Sequence, residues 1–275
     1  MILGLVGCGH IGGSLAKAAR GAATRILGAD RDADTAERAR ALGLVDEVAA
    51  QEDVAARADL LVLAVPVLAI PTVAAALARV VRPSAVVTDV GSTKVSVVRG
   101  GEAAFGSRVV GGHPMAGSER AGPEAADGRL FAGKRVILTP TARTDPAALA
   151  TVAELWRGAG AQVVEMDPAR HDRVVAAVSH LPHAVAYALC AALAEQADEL
   201  RGLYGGGFVD TTRIASTPAS MWIDVFLDNR VAILELLDAF GAEVRVLREA
   251  IAAGDAAGIA ERLELARATR TRILG

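Results

Sequence analysis

The fold turns on the N-terminal stretch Met1-Ile2-Leu3-Gly4-Leu5-Val6-Gly7-Cys8-Gly9-His10-Ile11-Gly12-Gly13-Ser14-Leu15. Residues 2–6 form an unbroken apolar run, the pattern of a parallel strand covered on both faces. The run stops at Gly7, and residues 11–20 continue on a helical period. Between strand and helix lies the spacing Gly-x-Gly-x-x-Gly. Gly7 permits a tight turn, Gly9 lets the backbone approach a phosphate, and Gly12 lets helix and strand pack closely. His10 and Ile11 open the helix, where unpaired N–H groups and the helix dipole favour an anion. A glycine triplet by itself says little in a chain of 28 glycines. Its place between a strand and a helix gives it meaning.

Working outward, apolar runs and helical periods keep alternating. Residues 25–29 read as a strand, 32–42 as a helix with Asp34 in its favoured first turn, and 60–65 as a strand closed by Pro66. Residues 67–81 are helical and 85–89 are again a continuous apolar strand. Less regular strands follow at 108–111, 134–138 and 162–165, with a helix over 146–158. The alternation predicts an α/β fold: a Rossmann-type doubly wound sheet followed by an all-helical second domain. Asp167-Pro168 supplies an N-cap and a proline at the first helical position, and strand signals fade beyond it. Pro182 is expected to kink or break the long run it sits in. Residues 220–240 and 243–273 carry helical spacing, and 202–207 read as a loop. The expected domains are 1–165, binding a dinucleotide, and 166–275, a helical substrate and dimerisation domain.

Composition narrows the classes. Of 275 residues 52% are hydrophobic and only 3% aromatic, so a large core must be packed from aliphatic side chains. A net charge of −3 gives no field that would gather nucleic acid. Cys8 and Cys190 have neither metal spacing nor a disulfide framework, which fits a reduced, cytoplasmic setting. The first residues lack the basic leader and long apolar stretch of an export signal. No run approaches the roughly 20 uninterrupted apolar residues of a membrane span. A soluble protein without nucleic-acid or membrane partners is expected.

Asp30 lies 18 positions beyond Gly12, at the end of the second strand, where an acid takes ribose hydroxyls. It favours NAD, because a carboxylate repels a 2′-phosphate. Arg31 beside it leaves NADP open, since an arginine there can stack on adenine or meet that phosphate. Thr88-Asp89-Val90-Gly91-Ser92-Thr93-Lys94 ends a strand at the carboxyl edge, where open α/β sheets bind ligands. The Ser92 hydroxyl would lie near the nicotinamide, though a serine there serves equally well as a helix cap. In Gly112-His113-Pro114-Met115-Ala116-Gly117-Ser118-Glu119 the flanking glycines leave room for a ligand beside a histidine suited to take a proton. An isolated loop histidine more often bonds only to backbone.

Taken with Ser179-His180-Leu181-Pro182-His183 and Asp210-Thr211-Thr212-Arg213-Ile214-Ala215, these motifs make the whole chain resemble the prephenate/arogenate dehydrogenase family of tyrosine biosynthesis. Thr211 stands where that family usually has an aromatic residue, which leaves the arginine in place. The resemblance implies oxidative decarboxylation of prephenate to 4-hydroxyphenylpyruvate with hydride transfer to NAD, or the equivalent reaction of arogenate. It implies that His113 accepts the proton of the ring hydroxyl and that Ser92 bonds near that hydroxyl and the nicotinamide. Arg213 pairs with a substrate carboxylate, and His183 and Glu119 join the substrate-binding set. It also implies a homodimer built through the helical domain. His180 reads as an ordinary packing residue, and no carboxylate or cysteine accompanies His180 and His183 at metal-ligand spacing.

Two rivals remain. A β-hydroxyacid or imine reductase would carry a lysine on the long second-domain helix, and residues 167–200 contain none. A nucleotide-binding protein without chemistry would not need Ser92, His113 and Arg213 together.

Overall fold

The computed structural model describes residues 1–117 and 120–275. Its sheet begins with β1 (Ile2–Val6), β2 (Arg25–Ala29), β3 (Glu47–Val48), β4 (Leu60–Leu63) and β5 (Val86–Asp89). β6 (Val109–Pro114), β7 (Arg135–Thr139) and β8 (Gln162–Glu165) complete it. The helices between them are α1 (His10–Ala18), α2 (Ala33–Ala41), α3 (Gln51–Arg57), α4 (Ile70–Leu77), α5 (Val95–Phe105) and α6 (Pro146–Gly158). The eight strands lie in the order β3-β2-β1-β4-β5-β6-β7-β8. β6 and β7 run antiparallel, and the other neighbouring pairs are parallel. Chain order reverses between β1 and β4, and a crevice at such a switch point is where sheets of this kind take ligands.

Alternation along the strands builds two cores. Leu3, Leu5, Leu60 and Val62 join one apolar cluster, and Val6, Leu61 and Leu63 the other. Successive side chains of a strand point to opposite faces. Each apolar run in the sequence therefore feeds both layers, which is why these strands read as runs and not as alternations.

The remaining helices are α7 (Pro168–Val175), α8 (Leu181–Ala192), α9 (Gly206–Thr212), α10 (Ala219–Asp228), α11 (Arg230–Ala253) and α12 (Ala256–Leu274). Asp167 caps α7, accepting from the Ala169 and Arg170 N–H groups. The run does not break in two at Pro182. A π-helical turn, Ala176–His180, joins α7 to α8 and widens the backbone before the proline. A proline lacks the N–H for the carbonyl one turn earlier and clashes with it, and the wider turn relieves both problems. By length and composition Pro168–Ala192 could cross a membrane, yet α7 packs on α5 and β7.

Helical spacing over 220–240 and 243–273 overlooked two breaks, at Asn229 and at Gly254, whose φ is +64°. The expected loop at 202–207 ends early, because Gly206 already opens α9. By packing, residues Met1–Arg230 form one compact unit and Val231–Gly275 a second. In the first, α10 rests on the 3-10 turn Val67–Ala69. The second is a helical pair in which Arg262 of α12 reaches Glu243 of α11 at 3.9 Å.

Candidate active site

The three glycines of the first motif do different work. Gly7 has φ +101°, and a Cβ there would sit 2.2 Å from the Ala64 carbonyl oxygen. A Cβ on Gly12 would come 2.2 Å from the Gly7 oxygen. Both are demanded by the chain's own packing. Around Gly9 a Cβ would meet no atom within 4 Å, so protein packing does not require a glycine there. Gly9 is also the N-cap of α1 and offers no side chain to the first N–H groups of the helix. Bare backbone beside open space, at a helix N-terminus, fits a pyrophosphate.

Asp30 braces this cradle. Its carboxylate accepts the Cys8 N–H at 2.7 Å and the Asp32 N–H at 3.0 Å, tying the turn after β1 to the turn after β2. Each oxygen keeps a further lone pair for a ribose hydroxyl. Burial, then the charge of Asp30, pushes the Cys8 thiol up to about 12, so it packs as an inert apolar group. His10 is half-buried, and burial followed by the nearby Arg120 charge lowers its pKa. Arg31 is exposed.

His113 lies within β6, not in a loop beyond it, and is buried. Its Nδ1 is 2.8 Å from Nε2 of His171, and Nδ1 of His171 is 2.7 Å from Oδ1 of Asp172. Asp172 in turn accepts the Lys94 N–H at 2.7 Å and the Val95 N–H at 2.9 Å, capping α5 from α7. Desolvation by burial, reinforced by His171, Lys94 and His180, holds His113 well below the ordinary histidine pKa. The ring is neutral at pH 7, as a proton acceptor must be.

The backbone before His113 is clamped by an ion pair. Asp89 and the fully buried Lys94 pair with each other, and Lys94 Nζ donates to the Gly112 carbonyl at 2.8 Å. Asp89 Oδ1 accepts the Gly112 N–H at 3.1 Å, and Oδ2 accepts the Gly91 N–H at 2.7 Å. The β5–β6 ladder ends at Thr88 and Val110. These side chains continue it where the two strands part.

On the helical side, Asn229 donates to the Asp172 carbonyl at 2.8 Å and to His180 Nδ1 at 3.2 Å. His180 is therefore a bonded core histidine, lowered to about 4 chiefly by burial. His183 donates from Nδ1 to the Ser179 carbonyl at 2.9 Å and stacks on Trp222 with centroids 3.7 Å apart. Burial lowers its pKa, and the Arg213 charge nearby adds to the effect. Arg213 is exposed at the head of a 3-10 turn, Arg213–Ser216, and among the described residues makes no ion pair with Asp210 or any other acid. Ser92 is half-buried in the turn between β5 and α5, two residues before Lys94. Glu119 lies outside the described residues.

The Ser92 segment is joined to the His113 strand through Lys94 and Gly112, and α7 to that strand through His171, while His183 and Arg213 lie near each other on the helical side. His171, Asp172 and Asn229 were not legible as site residues. His171 and Asp172 sit in the charged stretch Ala169-Arg170-His171-Asp172-Arg173, which reads as a solvated helix start. Their one signal is position, on the helix that Asp167-Pro168 opens.

Models of two domain families match along the chain: the prephenate dehydrogenase nucleotide-binding domain over residues 14–165 and the prephenate dehydrogenase dimerization domain over 167–265. Cyclohexadienyl dehydrogenase of Zymomonas mobilis is 37% identical over 92% of this chain and 89% of its own. Prephenate dehydrogenase of Bacillus subtilis is 37% identical over 92% of this chain and 70% of its own. The crystal structure of Aquifex aeolicus prephenate dehydrogenase with hydroxyphenyl propionate and NAD+ superimposes with a TM-score of 0.90. It is 37% identical, covering 99% of this chain and 97% of that one. Matched in both domains and nearly end to end, the chain belongs to the prephenate dehydrogenase family of NAD-dependent oxidoreductases.

Proposed function

We propose that this protein converts prephenate to 4-hydroxyphenylpyruvate and CO2 with reduction of NAD, and that His113 is the base. The observation that carries the assignment is the buried, neutral imidazole of His113, hydrogen-bonded through Nδ1. His113 takes the proton of the ring hydroxyl as the oxygen becomes a carbonyl and the hydrogen on the same carbon departs with its electron pair. NAD, when bound, supplies the acceptor for that hydride. The bond to the ring carboxylate then breaks, its electrons restore an aromatic ring as CO2 leaves, and the phenolate oxygen takes its proton back from His113. Loss of CO2 makes the step effectively irreversible.

The family resemblance supports the remaining roles. Gly7, Gly9, His10, Ile11 and Gly12 cradle the pyrophosphate, Asp30 takes the ribose, and Arg31 flanks the adenine end. The chain's own task is to hold the cofactor and substrate face to face and exclude water. Ser92 bonds near the reacting hydroxyl, Arg213 pairs with the substrate carboxylate and His183 joins them, while Glu119, outside the described residues, is assigned to the substrate set by the family resemblance alone. Residues 1–165 provide the cofactor half, and 166–275 the substrate half and the homodimer contact. Exposed Val231, Leu234, Phe240, Leu263, Leu265 and Ile273 on α11 and α12 support that contact. Two free cysteines support a cytoplasmic setting.

Arogenate is the second reading, favoured by the 37% identity to a cyclohexadienyl dehydrogenase. NADH formation with prephenate and arogenate, assayed side by side, tests both. Turnover of prephenate is expected, turnover of arogenate alone would shift the assignment, and turnover of neither would refute it.

A further inference from the structure

We propose that His171 and Asp172 are positioning residues that lock His113 in the tautomer with its proton on Nδ1, leaving the lone pair on Nε2 for substrate. Each oxygen of Asp172 faces a backbone N–H, Oδ1 that of Lys94 and Oδ2 that of Val95. Amide groups only donate, so both oxygens are acceptors. The proton between His171 and Asp172 therefore sits on His171 Nδ1, and Nε2 of the neutral ring must accept. The group facing that Nε2 at 2.8 Å is His113 Nδ1, which must then donate. Among the described residues His113 has no other hydrogen-bond partner.

The chain of three depends on His171 staying neutral. A proton on its Nε2 would be given to His113 Nδ1 and would turn the His113 Nε2 into a donor, useless as a base. His171 is fully buried, and the Lys94 charge lies nearby. Burial, with that cation, lowers its pKa despite the opposing pull of Asp172 and Asp89. Asn229 holds the other end by donating to the Asp172 carbonyl. An aspartate that orients a catalytic imidazole usually touches it directly; here the same control passes through a second imidazole.

The inference rests on His113 being the base, and its test separates the two claims. Nitrogen-15 NMR of histidine-labelled full-length protein reads the tautomer of each ring without substrate, with His113 assigned by loss of its signals in His113→Asn. The wild type should show His113 protonated at Nδ1 and unprotonated at Nε2. In Asp172→Ala His171 loses the acceptor that fixes its tautomer, so His113 should show a mixture of both tautomers, and kcat should fall about tenfold or more. The KM for NAD should stay within about threefold in that variant, since Asp172 lies outside the nucleotide cradle. His171→Gln can still accept from His113 and donate to Asp172, so it should recover most of the activity that His171→Leu loses. A wild-type His113 carrying its proton on Nε2 overturns the relay whatever the enzyme turns over. So does wild-type kcat in His171→Leu. If the leucine variant fails to fold, the wild-type tautomer and the glutamine variant still decide. An NMR result as expected, with full activity in His113→Asn, would instead sink the base assignment and leave the relay as structure only.

Discussion

Lys94 Nζ lies 2.8 Å from the carbonyl oxygen of Gly112, the residue directly before the proposed base. Asp89, paired with the same lysine, takes the N–H of that glycine. A buried ion pair therefore fixes both backbone groups of the residue that aims His113. Lys94→Met would leave the Asp89 carboxylate buried with its cation gone, at a cost of about 3–5 kcal/mol. Urea unfolding should show that loss, and adding Asp89→Asn should return part of it. A change under about 1 kcal/mol in the single variant would mean the pair does not brace the site.

The glycine motif makes a split prediction. Gly12→Ala should destabilise the fold, because its Cβ would sit 2.2 Å from a carbonyl oxygen. Gly9→Ala should leave thermal stability near wild type, because its Cβ meets no protein atom. Its added methyl should nonetheless weaken NAD binding by at least about tenfold, since it would occupy the approach to the pyrophosphate. Calorimetric titration of NAD into each variant checks this. Unchanged affinity in Gly9→Ala would move the cofactor elsewhere.

How much of this could be read from the sequence depended on how local the signal was. The apolar runs of β1, β2 and β4 named themselves, since a strand buried on both faces needs no partner to look like one. α5, which holds Gly100 and Gly101, went unread. In the fold they are contact points, where a Cβ would come 2.8 Å from Pro71 and 2.8 Å from Val109. Two-residue β3 and seven-residue α3 are too short to carry a period. At the site, His113 and Ser92 stood out in glycine-rich strand ends, whereas His171 and Asp172 are linked to His113 only by tertiary packing. Asn229 reads as one more helical residue, yet its side chain is spent on Asp172 and His180, and the helix breaks there.

Acid should destabilise the protein from about pH 6.5 downward. Burial is the largest cause lowering the pKa of His113, His171 and His180, the last to about 4. The folded state thus keeps these rings neutral below pH 6.5, where the unfolded chain binds protons. Stability then falls as pH drops from about 6.5 toward 4, by up to about 1.4 kcal/mol per pH unit for each ring held neutral. Urea midpoints measured between pH 7.5 and 5 should decline on the acid side. A flat profile would show that these rings protonate freely in the fold.

Arg213 should act on substrate and not on cofactor. Arg213→Ala should raise the KM for prephenate at least about tenfold and leave the KM for NAD nearly unchanged, with Arg213→Lys between them because lysine lacks the bidentate fork. Melting temperature should barely move, since the side chain is exposed and unpaired among the described residues. A large drop in melting temperature with unchanged KM would make the residue structural.

The most direct test of the account is the turnover of His113→Asn with prephenate and saturating NAD. Asparagine keeps a polar side chain of similar reach at that point of β6 but cannot take a proton at neutral pH. The account predicts a kcat reduced about 10²–10⁴-fold, the range lost with a general base. NAD affinity and melting temperature should stay close to wild type. A variant that forms NADH at the wild-type rate would contradict the assignment of His113 as base and, with it, the mechanism built on the buried edge of β6.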